Sequence, residues 1–295
     1  MKNTIFTGAG VAIVTPMNND LSINYEKYAE LIEWQIANGT DAIIACGTTG
    51  ESATMSDAEH VEVIDFTVKT VNGRVPVIAG TGSNETSYAL ELSKEAEKSG
   101  ADALLIVTPY YNKTSQSGLI KHYTYLADNV NTPIILYNVP SRTGLNILPS
   151  TYSALCKHPN IVATKEANGN LAAIAQTMNL CGDSLDIYSG EDGLITATIA
   201  LGGKGVISVL SNIAPKAAHD MAMLAYNGDC KASAKLQIEY TPLVDALFSD
   251  VNPIPVKAAL NLMGYNAGDC RMPLADMSKS GLAALKATLL KYNLI

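Results

Sequence analysis

Short runs of Val, Ile, Leu and Ala alternate with longer amphipathic stretches from the start of the chain to about Val209. Eight of the runs read as strands: Gly10–Val14, Asp41–Cys46, Pro76–Gly80, Ala103–Val107, Pro133–Tyr137, Ile161–Ala167, Leu185–Tyr188 and Gly205–Val209. Their nearly continuous apolar character is that of strands packed on both faces. Between them, Tyr25–Ala37, Ala58–Val71, Glu85–Lys98, Gly118–Asn129 and Leu171–Leu180 repeat apolar residues at helical spacing, as Tyr28, Leu31, Ile32 and Ile36 do in the first. Ser56 followed by Glu59 is a capping-box signal for the second. Asn38-Gly39-Thr40-Asp41-Ala42-Ile43 is echoed by Ser99-Gly100-Ala101-Asp102-Ala103-Leu104, each a helix end with a C′ glycine turning into a strand.

Unbroken β-then-α alternation predicts an α/β chain folded as a (β/α)8 TIM barrel. An open doubly wound sheet would show a glycine-rich nucleotide turn after its first strand, and none is there. After Ser208 the pattern changes. Ala217–Tyr226, Lys231–Phe248, Val256–Leu262 and Lys279–Leu290 read as helices with no strand between them, and Asn252-Pro253-Ile254-Pro255 as a stiff connector. The first of these helices completes the barrel, which predicts a barrel domain over residues 1–226 and a C-terminal helical appendage over 227–295.

One strand carries an unusual residue. Alternation from Ile161 places Ile161, Ala163 and Lys165 on one face and Val162, Thr164 and Glu166 on the other, so Glu166 is a poor ion-pair partner for Lys165. A lysine buried without an anion favours its neutral amine, a nucleophile toward carbonyls. Taken alone, a strand-end lysine reaching out to solvent is the simpler reading. The company it keeps changes that. Strand C-terminal ends are where barrels gather function, and here they carry Gly47-Thr48-Thr49-Gly50-Glu51, Thr108-Pro109-Tyr110-Tyr111-Asn112, Tyr137-Asn138-Val139-Pro140-Ser141-Arg142 and Ser189-Gly190-Glu191-Asp192. Tyr137 shares a face with Ile135 and points inward beside Lys165, where a phenol serves as a proton carrier for making and breaking a C=N bond. Asp41 and Asp102 fall at strand starts, the stability end of a barrel, and Glu191-Asp192 is expected to cap the following helix rather than to hold Mg²⁺.

Composition narrows the classes. The 295-residue chain is 47% hydrophobic with a net charge of −8, which argues against a nucleic-acid footprint. Arginine occurs only at Arg74, Arg142 and Arg271. Five scattered cysteines without a C-x-x-C pair and four dispersed histidines argue against disulfide frameworks and metal sites. Gly80-Thr81-Gly82 begins a dinucleotide-like turn, but Glu85 stands at the third glycine position. With no signal-like N-terminus and no bilayer-length apolar run, a cytoplasmic protein without membrane association is expected.

Gly47-Thr48-Thr49-Gly50-Glu51, Thr108-Pro109-Tyr110-Tyr111-Asn112-Lys113, Tyr137-Asn138-Val139-Pro140, Lys165-Glu166-Ala167, Gly205-Val206-Ile207-Ser208 and Asn252-Pro253-Ile254-Pro255-Val256-Lys257 resemble the signatures of the dihydrodipicolinate synthase / N-acetylneuraminate lyase superfamily. The resemblance runs from Phe6 to the end of the chain. It implies a metal-independent, cofactor-free barrel enzyme that holds pyruvate as a Schiff base on Lys165, with Tyr137 as acid/base. It further implies a proton relay of Tyr137, Thr48 and Tyr111, with Tyr111 reaching into a neighbouring subunit, a homodimer as the minimal active unit and a homotetramer as a common assembly. Thr48 and Thr49 are implied to hold the pyruvate carboxylate, with the backbone at Gly190 and Ile207 lining the same pocket.

Within the superfamily, Arg142 points to the synthase branch, where an arginine grips the carboxylate of L-aspartate 4-semialdehyde. The alternative is another pyruvate-dependent lyase, such as an N-acetylneuraminate lyase. The implied reaction is condensation of pyruvate with that aldehyde to 4-hydroxy-tetrahydrodipicolinate, the committed step toward diaminopimelate and lysine. Lysine-inhibited members bind lysine at positions matching Ser52, Ala53, Met55, Asp57, His60, Asn84, Tyr88 and Tyr110. Asp57 and Tyr88 stand where the inhibited bacterial type has His and Glu. Loss of that glutamate predicts weak or absent feedback inhibition. Thr114 replaces a usual proline, with no consequence that follows from the sequence.

Overall fold

The computed structural model describes residues 2–295. Eight parallel strands close a barrel in sequence order: β1 (Gly8–Ala12), β2 (Ala42–Ala45), β3 (Val77–Gly80), β4 (Ala103–Val107), β5 (Ile134–Asn138), β6 (Ile161–Glu166), β7 (Asp186–Ser189) and β8 (Gly205–Ser208). The barrel helices are α1 (Tyr25–Ala37), α2 (Asp57–Val71), α3 (Thr86–Ser99), α4 (Gln116–Asp128), the single turn α5 (Pro140–Thr143), α6 (Pro149–Leu155), α7 (Leu171–Cys181), α8 (Ile195–Ala200) and α9 (Pro215–Tyr226). α10 (Cys230–Leu247), α11 (Ile254–Leu262) and α12 (Lys279–Lys291) follow with no strand between them. The fold is the expected α/β barrel with C-terminal helices.

Strand alternation divides the core into two shells. Ala12, Ile44, Ile78, Leu105, Ile135, Ala163, Tyr188 and Ile207 fill the inside. Val11, Ile43, Val77, Leu104, Leu136 and their neighbours pack outward against the helices. Phe6 plugs the bottom, its ring stacked 4.3 Å from that of Tyr188. β1 and β8 approach so closely that a Cβ on Gly205 would lie 2.0 Å from the Gly8 carbonyl oxygen. Asp41 and Asp102 are structural, as expected: Asp41 accepts from the Ala9 amide and Asp102 from the Val77 amide, stitching neighbouring strands at their starts.

One expectation fails at β6. Ile134 pairs with Ile161, but Ile135 pairs with Ala163, so the register slips by one residue between them. The bulge reverses the parity of the strand's first residues. Ile161 joins the outer shell and Val162 the inner one, while Ala163 and Lys165 keep the inward face. Ile161 therefore does not contribute to burying the lysine.

The capping box of Ser56 and Glu59 forms at α2. Glu85, read as the first residue of a helix, is instead the N-cap of α3 and accepts from the Ser87 and Tyr88 amides. Glu191-Asp192 does not cap the following helix: Glu191 makes no side-chain cap bond. The Asp192 carboxylate reaches sideways to accept from the Val209 and Leu210 amides, tying β7 to the end of β8. The short helices α5, α6 and α8 carry too few residues to show a period.

The C-terminal segment braces the rim at the C-terminal ends of the strands. Lys257 of α11 donates to Glu51 at 2.8 Å, with both side chains essentially inaccessible. The second Glu51 oxygen accepts from the Arg271 amide, and the Arg271 guanidinium grips Glu59 and the Leu21 and Thr54 carbonyls. Glu51 holds a left-handed φ of 58°, a conformation costing a non-glycine residue about 1–2 kcal/mol, and these contacts hold it there.

Candidate active site

Lys165 is the penultimate residue of β6 and lies between two tyrosines, paired in register with Tyr137 of β5 and Tyr188 of β7. It is only 7% exposed, so the solvent-reaching alternative does not hold. Its Nζ lies over the Tyr137 ring, 4.4 Å from the centroid. Lys165 forms no ion pair among the described residues. The amine opens into a 220 Å³ cavity at the C-terminal mouth of the barrel, lined by Thr48, Thr49, Tyr137, Ser141, Arg142, Gly190, Glu191 and Asn252 among others. No group of three or more His, Cys, Asp or Glu among the described residues is arranged to hold a metal ion.

The backbone explains why the lysine stays where it is. The Gly190 amide donates to the Glu166 carbonyl, laying the β7 exit against the lysine stem. A Cβ at Gly190 would fall 2.7 Å from the Ala167 Cβ and 3.2 Å from the Lys165 Cε, so the approach requires glycine. Glu166 points away from Lys165, as alternation predicts. Behind the barrel wall it accepts from Asn138 Nδ2, from the Tyr152 hydroxyl at 2.7 Å and from the Asn168 amide. Burial lifts its pKa to about 7, against the pull of those donors. The Asn138–Glu166 bond joins the residues immediately after Tyr137 and Lys165, and so fixes the ends of the two strands against each other.

A hydrogen-bonded chain crosses the mouth. Asn252 Nδ2 donates to Thr49 Oγ1 at 2.9 Å, and the Asn252 carbonyl accepts from Arg142 Nη2 at 3.3 Å. With its oxygen already accepting, the Thr49 hydroxyl proton is free for an anion in the cavity. Arg142 thus lines the same cavity as Lys165 from an exposed position. Ile207 is buried in the inner shell, and Val209 lines the cavity from the end of the same strand.

Tyr111 does not join Thr48 and Tyr137 within one chain. Tyr111 is 91% exposed, held at a left-handed φ of 66° on the loop after β4. Thr48 and Tyr137 line both the small cavity and a second, 410 Å³ cleft beside it. This cleft gathers Ser52, Ala53, Met55, His60, Tyr88 and Tyr110. His60 is buried with Nε2 2.7 Å from the Gly80 carbonyl, and burial lowers its pKa. The Asn84 carbonyl accepts from Asn112 Nδ2. Asp57 accepts from the Tyr88 hydroxyl at 2.6 Å, a bond that pushes the phenol up to about 12.

Sequence reasoning missed two residues that complete this site. Asn252 was visible as part of a stiff connector and of a motif shared with the resembled superfamily, but with no role of its own, and nothing local marks its partners Thr49 and Arg142, which lie 203 and 110 residues away. Glu191 was assigned to a helix cap, yet it lines the cavity. An acidic residue directly after the glycine that touches the lysine was the available signal.

The family model for the dihydrodipicolinate synthetase family matches residues 5–292. The chain is 56% identical over 292 residues to the 4-hydroxy-tetrahydrodipicolinate synthase of Lachnoclostridium phytofermentans, covering 99% of each chain. It is 53% identical to the enzyme of the same name from Acetivibrio thermocellus, over the whole of both. Among solved structures, the chloride-inhibited dihydrodipicolinate synthase of Acinetobacter baumannii complexed with pyruvate superposes with a TM-score of 0.97 at 41% identity, covering 99% of this chain and 100% of that one.

Proposed function

The chain belongs to the dihydrodipicolinate synthetase family, and from that premise we propose that it condenses pyruvate with L-aspartate 4-semialdehyde to 4-hydroxy-tetrahydrodipicolinate through an imine on Lys165. The observation that carries this reading is a buried lysine amine that forms no ion pair among the described residues, in a cavity that Thr49 and Arg142 also line. Lys165 adds to the pyruvate carbonyl, and water leaves as the imine forms. The pyruvate carboxylate takes the hydrogen bonds of Thr48 and Thr49. Loss of a methyl proton gives the enamine, whose carbon attacks the aldehyde. Tyr137 shuttles the protons, and the guanidinium of Arg142 receives the second substrate's carboxylate. The new amine then displaces Lys165 and closes the ring.

The relay of Tyr137 and Thr48 is completed in this reading by Tyr111 from a second copy. The exposure of Tyr111 and its strained backbone support a homodimer as the minimal active unit, two of which pair into a tetramer. Residues 1–226 act as the catalytic barrel and 227–295 as the helical domain that braces its rim, a division supported by the absence of strands after β8. No helix among the described residues is long and apolar enough to cross a membrane. The biosynthetic role of the named relatives supports a cytoplasmic location.

Turnover tests the reading. Pyruvate with L-aspartate 4-semialdehyde is expected to be consumed, and pyruvate with N-acetylmannosamine is not. Consumption of the second pair alone overturns the choice of substrate.

A further inference from the structure

Resting on that reading, we propose that Glu191 receives the α-ammonium group of the aldehyde substrate and takes its proton, so that the free amine can displace Lys165. The aldehyde substrate carries an anion and a cation on one carbon. Arg142 answers the carboxylate, and a matching site must present a carboxylate to the ammonium group. Glu191 is the only carboxylate among the described residues lining the Lys165 cavity.

The other acidic side chains nearby are committed elsewhere. Glu166 faces the outer side of the barrel wall, and Glu51 is paired with Lys257. Asp192 is fully buried, with one oxygen on the Val209 and Leu210 amides, and it does not line the cavity. Glu191 differs from all three. Its backbone is fixed at both ends by the Ser189 hydroxyl, which accepts from its amide and donates to its carbonyl. Its carboxylate makes no ion pair and no hydrogen bond among the described residues. It is a held but unanswered anion, within the fields of both Lys165 and Arg142.

Partial burial raises its proton affinity, with the neighbouring Asp192 charge adding to this and the two cations opposing it. A carboxylate so placed is a better proton acceptor than an exposed one. The step balances without any further reactant. The ammonium group gives one proton to Glu191, and the amine lone pair forms a bond to the imine carbon. The two protons left on the substrate nitrogen pass to Nζ as the C–Nζ bond breaks, its electron pair staying on the lysine. The ring C=N bond and a free Lys165 amine result.

The test compares Glu191→Gln with wild type using two aldehydes: L-aspartate 4-semialdehyde and 4-oxobutanoate, which has the same carboxylate and aldehyde but no amine. Borohydride labelling of Lys165 by pyruvate is expected to be unchanged in the variant. Specificity (kcat/KM) for L-aspartate 4-semialdehyde is expected to fall on the order of tenfold to a hundredfold, the worth of one hydrogen bond to a charged group. The covalent 4-oxobutanoate adduct on Lys165, read by mass spectrometry, is expected to form equally in both proteins. Glu191→Asp should recover part of the loss. Equal losses with both aldehydes would assign Glu191 a merely structural role and overturn the proposal, as would turnover within about twofold of wild type. Labelling lost only in the variant would overturn it too, by placing Glu191 in imine formation. Labelling absent from wild type would overturn the Schiff-base reading itself, and this proposal with it.

Discussion

Replacing Lys257 by methionine removes one half of a buried ion pair that ties the C-terminal helices to the catalytic rim. Nζ donates to Glu51 at 2.8 Å and to the Asp269 carbonyl at 2.7 Å, and the side chains are 2% and 0% exposed. Methionine keeps the volume of the lysine stem but leaves the Glu51 charge buried with one remaining donor, the Arg271 amide. Stranding a buried charge costs about 3–5 kcal/mol. In a chain of this size that lowers Tm by roughly 6–10 °C. Adding Glu51→Gln removes the stranded charge, so the double variant should be more stable than Lys257→Met alone. The loop containing Thr48 and Thr49 loosens with Glu51, so KM for pyruvate should rise in the single variant while Lys165 still labels at saturating pyruvate. Calorimetry at fixed protein concentration reads the stabilities. Additive losses in the double variant would refute the argument, because they would mean that Glu51 and Lys257 do not act on each other.

Three further outcomes follow from the same geometry. Glu166 has a folded pKa of about 7 against an ordinary 4.5. Between those values the unfolded chain releases a proton that the folded chain keeps, so this group's contribution to stability declines as pH rises through the window, by about 3 kcal/mol in all. Glu166→Gln should lack that component in wild-type-minus-variant denaturation curves taken across the window, and parallel curves would refute the assignment. Gly190→Ala drives a methyl group into Ala167 and the lysine stem, and should lower kcat on the order of a hundredfold, measurable as slower pyruvate labelling of Lys165; an unchanged labelling rate would contradict the packing described. In the 410 Å³ cleft, Tyr88 spends its hydroxyl on Asp57, so millimolar lysine should leave the coupled-assay rate nearly unchanged, and full inhibition would show that the cleft needs no glutamate at that position.

The barrel was legible because its strands are short, apolar and regularly spaced. Predicted and observed strands overlap at all eight positions, differing mostly by a residue or two at their ends. Lys165, Tyr137, Thr48, Thr49 and Arg142 were legible because rim position follows from strand ends. Parity failed where the register slips: nothing in Ile161-Val162-Ala163 marks a bulge, which is set by how β5 and β6 meet. Asn252 and the Lys257–Glu51 pair were hidden for a different reason. Each contact spans more than a hundred residues, and sequence pattern reports only local periodicity. Glu191 was misread because an acidic residue before a helical turn fits a cap equally well. Only the fold shows that Ser189 fixes its backbone while its carboxylate stays free.

The central claim is that Lys165 is the nucleophile. Its most direct test is reduction with borohydride in the presence of pyruvate, followed by peptide mapping. One reduced pyruvyl group per chain on Lys165, and none on the Lys165→Arg variant, is the expected result. Labelling of a different lysine, or a wild-type chain that stays unlabelled while it turns over substrate, would contradict the account.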